Sequence, residues 1–301
     1  VLRDKISELL FVHVLHLLVS LHPTPEKKQP TSGRIRQIPP VSSGSGPRKN
    51  FSHISFFKVE LRKPLYDAPI LLNERSSSMK PRHEWKHEIT AADRLILASR
   101  LSAVARRDSH GQNGRYEIRS LYFDDPKDTA LREKIDGVSR REKFRIRYYG
   151  GDASYICLEK KSKWDGLCGK RSVLLSTQEV LALLDGDLDW MPDSGRPLVQ
   201  ELYWKMKSNV LRPRTIVDYT RDAFVFPAGN VRVTLDYNIR TGLGSTDFLN
   251  PDSVTVPAGD APSILEVKWD EFLPDIIREA VQLPGRHTCA FSKYAVCRVY
   301  G

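Results

Sequence analysis

Full charges recur at every second residue in five stretches of this chain: Arg82, Glu84, Lys86 and Glu88; Arg145 and Arg147; Glu159, Lys161 and Lys163; Arg232 and Asp236 around Thr234; and Glu266, Lys268 and Asp270. Successive side chains of a strand point to opposite faces, so each set shares one face. The residues between them are apolar in most cases: Phe144, Ile146 and Tyr148; Leu158; Val231, Val233 and Leu235; Leu265, Val267 and Trp269. For any one strand the plain reading is a solvated outer face. Five strands that repeat the pattern, with helices needed to cover the apolar faces, favour a charged lining instead. Cations facing inward repel one another at low dielectric and need a bound anion to persist. Lysine and arginine in excess, with a few glutamates among them, would hold a polyanion together with a metal ion.

The elements that must position these residues are legible. Strand alternation runs over 82–89, 115–123, 143–150, 154–163, 169–175, 214–221, 222–226, 231–236 and 263–269. Thr90 to Asp93 forms a capping box that opens a helix to about Arg107, and Ser176 to Glu179 forms a second that runs to Gly186. Asp125-Pro126 predicts a cap with proline at the first helical position, closed by Gly137. Pro197 to Val210 and Pro274 to Leu283 read as helices bounded by proline. The mix is α+β, with a large antiparallel sheet or barrel. A closed barrel, apolar outside under helices and charged inside, accommodates every segment.

The 301 residues are 40% hydrophobic and 28% charged, enough for a sizeable core. The net charge is +10, which invites a nucleic-acid reading. The excess is local, however. Residues 1–80 hold 13 Lys and Arg against 6 Asp and Glu, which leaves 34 against 31 for residues 81–301. An anion site in the later part must therefore come from arrangement, and no nucleic-acid partner is expected. The first part carries a short apolar run, Leu9 to Leu21, then a stretch rich in Pro, Ser and Gly. The chain starts at Val1 and its first methionine is Met79. Residues 1–78 are read as a disordered or spurious extension, with a membrane-proximal leader as the competing reading. Cys157, Cys168, Cys289 and Cys297 form no CxxC pair and lie at no zinc-ligand spacing from a histidine. They suggest a reducing, cytoplasmic setting.

From Met79 to Tyr300 the chain resembles a VTC domain, the polyphosphate polymerase branch of the triphosphate tunnel metalloenzymes. The resemblance rests on Arg82-x-Glu84-x-Lys86, Ser120-Leu121-Tyr122-Phe123-Asp124, Arg145-Ile146-Arg147, Leu158-Glu159-Lys160-Lys161 and Gly169-Lys170-Arg171. It continues through Tyr219-x-Arg221-x-Ala223-Phe224, Val231 to Asp236, Leu265 to Lys268, and Phe291-Ser292-Lys293-Tyr294. It implies an eight-stranded antiparallel tunnel with helices packed outside, spanning residues 79–301 as a minimal stand-alone unit. Its interior would hold ATP and a growing polyphosphate chain. Lys86, Arg145, Arg147, Lys161, Lys170, Arg221, Arg232 and Lys293 would be phosphate ligands, and Glu266 would hold Mn²⁺ or Mg²⁺. A one-residue slip would put Arg171 in place of Lys170.

The general chemistry agrees with the resemblance. Phosphoryl transfer needs positioning and charge neutralisation more than covalent chemistry. Arginine offers a bidentate fork to phosphate oxygens and lysine a point charge. A hard divalent cation takes carboxylate oxygen. With a phosphate chain as acceptor no protein nucleophile is required, and neither a GxSxG elbow nor a Cys/His pairing is present.

The hydrolase relatives carry Glu-x-Glu-x-Lys on the first strand, where this chain has Arg82. That favours the polymerase over two competitors: a triphosphatase in the same tunnel, and a polyphosphate-binding module with little turnover. No phosphate-sensing SPX domain is recognisable, and no integral membrane segment is expected in residues 79–301. Glu84 is read equally as a metal ligand or an arginine partner. Tyr122 and Asp124 either line the tunnel or end a strand. Trp164, Trp204 and Trp269 are read as packing residues, Arg212 to Arg214 as surface, and Cys157 and Cys297 as buried thiols on strands. His83, His87, His110 and His287 are given no role.

Overall fold

The computed structural model describes residues 75–77, 82–109, 111–165, 167–260 and 262–299. Most of the expected N-terminal extension, and His110, lie outside the described residues. Among the described residues eleven strands form one antiparallel sheet. They are β1 (Arg75–Ser77), β2 (His83–Ile89), β3 (Arg106–Arg107), β4 (Arg115–Asp124), β5 (Arg141–Tyr149) and β6 (Asp152–Trp164). Then follow β7 (Leu167–Leu175), β8 (Arg212–Phe226), β9 (Val231–Thr241), β10 (Val256–Pro257) and β11 (Ser263–Trp269). The helices are α1 (Ala91–Val104), α2 (Thr129–Ile135), α3 (Thr177–Asp185), α4 (Pro197–Ser208), α5 (Asp275–Val281) and α6 (Lys293–Val299).

The main path runs β1-β7-β6-β5-β4-β8-β9-β11-β2, with β3 and β10 as side pairings on β8 and β9. The α+β architecture with an antiparallel sheet and outer helices is as the sequence predicts. Two features differ. The path holds nine strands, and among the described residues no ladder joins β2 to β1 or β7, so the sheet is not closed. Residues 75–77, placed by sequence in the extension, pair with β7 from Arg75 opposite Ser172 to Ser77 opposite Lys170.

Burial follows the alternation. Phe144, Ile146, Leu158 and Val173 pack under α3 and α4 through Val180, Leu183, Leu198 and Leu202. Val231, Val233, Leu235, Leu265 and Val267 pack under α1 and α5 through Leu97, Leu101 and Ile277. Each fully buried side chain of this size contributes roughly 1.5–3 kcal/mol, so these two layers fix which face of the sheet is left to the charges. A third apolar group lies on the charged face itself. Ile118, Val217 and Ile264 alternate in step with lining residues and pack against Tyr294 and Cys297 of α6. The lining is charged over one part and sealed by α6 over another.

Both capping boxes form: Thr90 and Asp93 bond reciprocally, as do Ser176 and Glu179, and Gly186 ends α3 in the left-handed conformation that glycine adopts without strain. Three expectations change. The segments 214–221 and 222–226 are one strand, β8. Helix α2 starts three residues later than Asp125-Pro126 predicts, because Asp125 Oδ1 accepts from the amides of Lys127 and Thr129 and holds a turn there. Cys297 lies on α6, not a strand. Tyr294 and Cys297, three residues apart, form the one buried face of that helix. Trp269 is buried, but Trp164 and Trp204 are 58% and 64% exposed and are not packing residues of the core.

Candidate polyanion site

The lining residues meet across the sheet as well as along it. Lys161 on β6 lies 4.0 Å from Glu84 on β2, six steps away along the sheet path. The sheet is therefore curled around its charged face. Three buried carboxylates organise that face.

Glu159, 4% exposed, is the first. Arg145 Nε lies 2.7 Å from its Oε2, Lys170 Nζ lies 2.6 Å from its Oε1, and Arg147 stands 3.8 Å away. Burial pushes the Glu159 carboxyl up, but Arg145, Arg147 and Lys170 outweigh that and hold it well below the usual carboxylate range. Asp236, fully buried, is the second. Arg221 grips it with both arms of its fork, at 2.6 and 2.7 Å, and Lys293 reaches it from α6 at 2.5 Å. Glu266 is the third. It pairs with Lys268 and, at 3.6 Å, with Lys86, which also pairs with Glu84. Burial opposes its charge, and Lys268 and Lys86 restore it.

Tyrosines join these groups. Tyr219 accepts a hydrogen bond from Arg147 at 3.2 Å, and its ring lies under Arg221 and Lys293. Tyr122 accepts from Arg145 at 2.7 Å. Arg232 bonds the Tyr116 hydroxyl and pairs with Asp108, both at 2.7 Å.

All eight cations predicted from sequence lie on the charged face, and Glu266 lies among them. The choice between Lys170 and Arg171 is resolved: Lys170 faces Glu159, while Arg171 pairs with Glu201 of outer helix α4. Glu84 pairs with lysines, not with arginine. Asp124 does not line the site; it caps α2 through the amides of Ala130 and Leu131. Arg82 pairs with Asp270 at 2.6 Å. Sequence reasoning left out Lys143 and Tyr116; it placed Lys268, Glu159 and Asp236 on charged faces and Tyr219 in a motif, but gave none of these four a role in the site. Lys143 shares the period-two face of Arg145 and Arg147, so the signal was present. Burial pushes Lys143 down to about 8. Burial would raise the neighbouring Tyr122 phenol, but Arg145 and Lys143 bring it down to about 8.

The donor set admits only certain metals. Among the described residues no three acidic, histidine or cysteine side chains gather to cage an ion. Glu266 and Glu84 stand diagonally on paired strands, with Glu266 opposite Lys86 and Lys268 opposite Glu84. One or two carboxylates fit an ion of the magnesium kind, which takes its remaining ligands from water and substrate phosphates.

A curled antiparallel sheet with such a lining defines a tunnel-type domain built for a polyanion. The family model for the VTC domain matches residues 81–300, and the chain belongs to that family. No curated protein matches it. Among solved structures it is similar to HpAC1 from Hippeastrum, described as having a dominant triphosphatase activity. That likeness has 14% identity over 72% of this chain and 94% of the other, with a TM-score of 0.46. It is also similar to bh2851 from Bacillus halodurans, named an adenylate cyclase, at 14% identity over 62% and 81%, TM-score 0.36. A third is PH1819 from Pyrococcus horikoshii, at 15% identity over 66% and 84%, TM-score 0.35. Among the described residues no helix is long and apolar enough to cross a membrane.

Proposed function

We propose that this domain is a polyphosphate polymerase: it transfers the terminal phosphate of ATP to the end of a polyphosphate chain, with Mn²⁺ or Mg²⁺. The observation that carries the reading is a lining rich in arginine and lysine gathered on one face of the curled sheet. Burial pushes the Cys157 thiol up and the Cys297 thiol up to about 12, so neither is a thiolate at neutral pH.

Arg145 and Arg147 present planar forks, and Lys86, Lys161, Lys170 and Lys293 present point charges. In the free chain, buried carboxylates hold most of these cations in place. An incoming phosphate chain offers a continuous row of charged oxygens and replaces those carboxylates as the partner. The cations then fix donor and acceptor phosphates in line, which is most of what phosphoryl transfer requires. One P–O bond breaks to release ADP, and one forms to the terminal oxygen of the chain. Glu266, with Glu84, would hold the divalent ion, which when bound draws charge from phosphate oxygens. Arg82 supports the polymerase over a hydrolase, because its pairing with Asp270 leaves the first strand with Glu84 as its nearest candidate ligand.

The test is ³¹P NMR of the chain with ATP and Mn²⁺ or Mg²⁺, recorded after quenching with chelator. Growth of a mid-chain phosphate signal with ADP supports the polymerase. Orthophosphate without chain signal means a triphosphatase, and unchanged ATP means a binding module.

A further inference from the structure

Helix α6 is short, seven residues, yet it is tied down at both ends. At its start, the Tyr294 hydroxyl donates to Asp124 Oδ2 at 2.6 Å, with both residues 1% exposed. At its end, Arg298 pairs with Asp128 at 2.7 Å. Asp124 and Asp128 bracket one short loop between β4 and α2. Asp124 is fully engaged: Oδ1 accepts from the amides of Asp125 and Ala130, and Oδ2 from that of Leu131 as well as from Tyr294. The anchor is thus a rigid one.

Tyr294 is also connected to both halves of the lining, to one by its ring and to the other by its chain neighbour. Its ring stacks on Tyr122 at 5.0 Å and 24° between planes, and Tyr122 bonds Arg145. Its chain neighbour Lys293 carries the ammonium that reaches Asp236 and lies 4.7 Å over the Tyr219 ring. Tyr294 therefore links the two groups, to Arg145–Glu159 through the Tyr122 ring and to Asp236–Arg221 through the backbone it shares with Lys293. A helix of two turns has little stability of its own, so the position of Lys293 depends on what α6 is bonded to.

We infer that Tyr294 is a positioning residue: held by Asp124, it sets the distance between Lys293 and Arg145 so that both grip one polyphosphate chain. The inference rests on the reading of the lining as a phosphate site. A phenol that merely packed a core would serve folding whether or not Lys293 were present. A positioning phenol acts through Lys293 and loses its effect on binding when that ammonium is gone.

A double-mutant cycle with inorganic tripolyphosphate as the probe separates the two. Tyr294→Phe keeps the ring and removes the bond to Asp124. Binding is measured by calorimetry for the full chain, Tyr294→Phe, Lys293→Ala and the double variant, with thermal unfolding confirming that each folds. The expected result is about five-fold weaker binding for Tyr294→Phe, shrinking to no measurable loss in the Lys293→Ala background. An equal loss in both backgrounds, or no loss in either, overturns the inference while leaving the phosphate site standing. Failure of the unaltered chain to bind tripolyphosphate overturns the phosphate reading and this inference with it.

Discussion

Lys161 Nζ stands 4.0 Å from Glu84 Oε2, although their strands are six steps apart on the sheet. The relationship measures how far the sheet curls: one wall of the lining reaches the other. It also identifies a weak contact. The Lys161 side chain is 45% accessible, and half-exposed pairs at this separation contribute little to stability, about 0–1 kcal/mol. An ammonium so loosely held is available to a phosphate that enters between the walls.

Lys161→Ala should accordingly separate binding from folding. Stability should change by less than about 0.5 kcal/mol, while tripolyphosphate binding weakens and its salt dependence becomes shallower. Urea unfolding and calorimetry at two ionic strengths check this. A large loss of stability with unchanged binding would mean that Lys161 braces the fold and holds no ligand.

Arg147 is a different case. It is 5% exposed and bonds Tyr149 and Tyr219, each at 3.2 Å, with Ser120 at 3.4 Å. These neutral partners orient the fork, and the one carboxylate near it, Glu159 at 3.8 Å, is shared with Arg145 and Lys170. Arg147→Ala should weaken tripolyphosphate binding by roughly 1.5–3 kcal/mol, as for a charge-assisted hydrogen bond. Arg147→Lys should recover little, since an ammonium cannot span the two tyrosine hydroxyls. Affinity that is unchanged in the alanine variant would remove Arg147 from the site.

Glu159→Gln leaves Arg145, Arg147 and Lys170 without their shared buried charge. Breaking a buried pair in this way costs about 3–5 kcal/mol. A ligand that binds only the folded chain restores stability by mass action. The thermal midpoint of the variant should fall well below that of the unaltered chain. Added tripolyphosphate should raise it by more degrees than it raises the parent. The sign with pH is also fixed: the folded-state pKa of Glu159 is depressed, so its contribution is present at neutral pH and is lost as pH falls below about 4. Equal responses to tripolyphosphate would mean that the anion does not take over the role of Glu159.

The fold and much of this site were legible because a strand shows its two faces at every second residue. Phe144, Arg145, Ile146 and Arg147 state the layering directly, and the register that puts Glu159 opposite Arg145 confirms it. What the alternation cannot state is pairing. Asp236 and Glu159 read as members of a charged face, and only the three-dimensional contacts make them the centres around which cations gather. Helix α6 was missed for a local reason. Seven residues with Tyr294 and Cys297 as the buried pair give too few turns for a 3.6-residue period to stand out. The late start of α2 was missed because Asp124 and Asp125 cap it from farther back than a single cap residue does.

The pH dependence of binding follows from Lys143 and Tyr122. Lys143 faces Tyr122, Arg145, Lys161 and Lys86. Burial pushes Lys143 down to about 8, and the cations beside Tyr122 outweigh burial to bring its phenol down to about 8. A polyanion favours the ammonium and the neutral phenol, so affinity should be full below about pH 8 and fall above it. Binding near pH 8 should take up protons, which calorimetry in buffers of different ionisation enthalpy reads directly. The free chain behaves oppositely: both folded-state values are depressed, so their contribution to stability grows as pH rises from 8 towards 10. Burial also pushes Lys86 down to about 8, so Lys143→Met with Tyr122→Phe should make the affinity profile shallower, and Lys86→Met added to them should flatten it. A profile unchanged by all three substitutions would place the titrating group elsewhere.

Glu266 decides whether the lining is a catalytic site or only a binding one. It is 8% exposed, held ionised by Lys268 and Lys86, and stands diagonal to Glu84. If its task is to hold a divalent ion against substrate phosphates, Glu266→Gln should abolish ATP-dependent turnover and leave tripolyphosphate binding in chelator mostly intact. The amide keeps the shape of the side chain, and removal of one negative charge from the lining does not disfavour an anion. Mn²⁺ binding, followed by electron paramagnetic resonance in the presence of tripolyphosphate, should weaken in step with turnover. Lost binding with normal turnover would sink the metal assignment, because a carboxylate that neither holds the ion nor limits the reaction would be acting only on the cations around it.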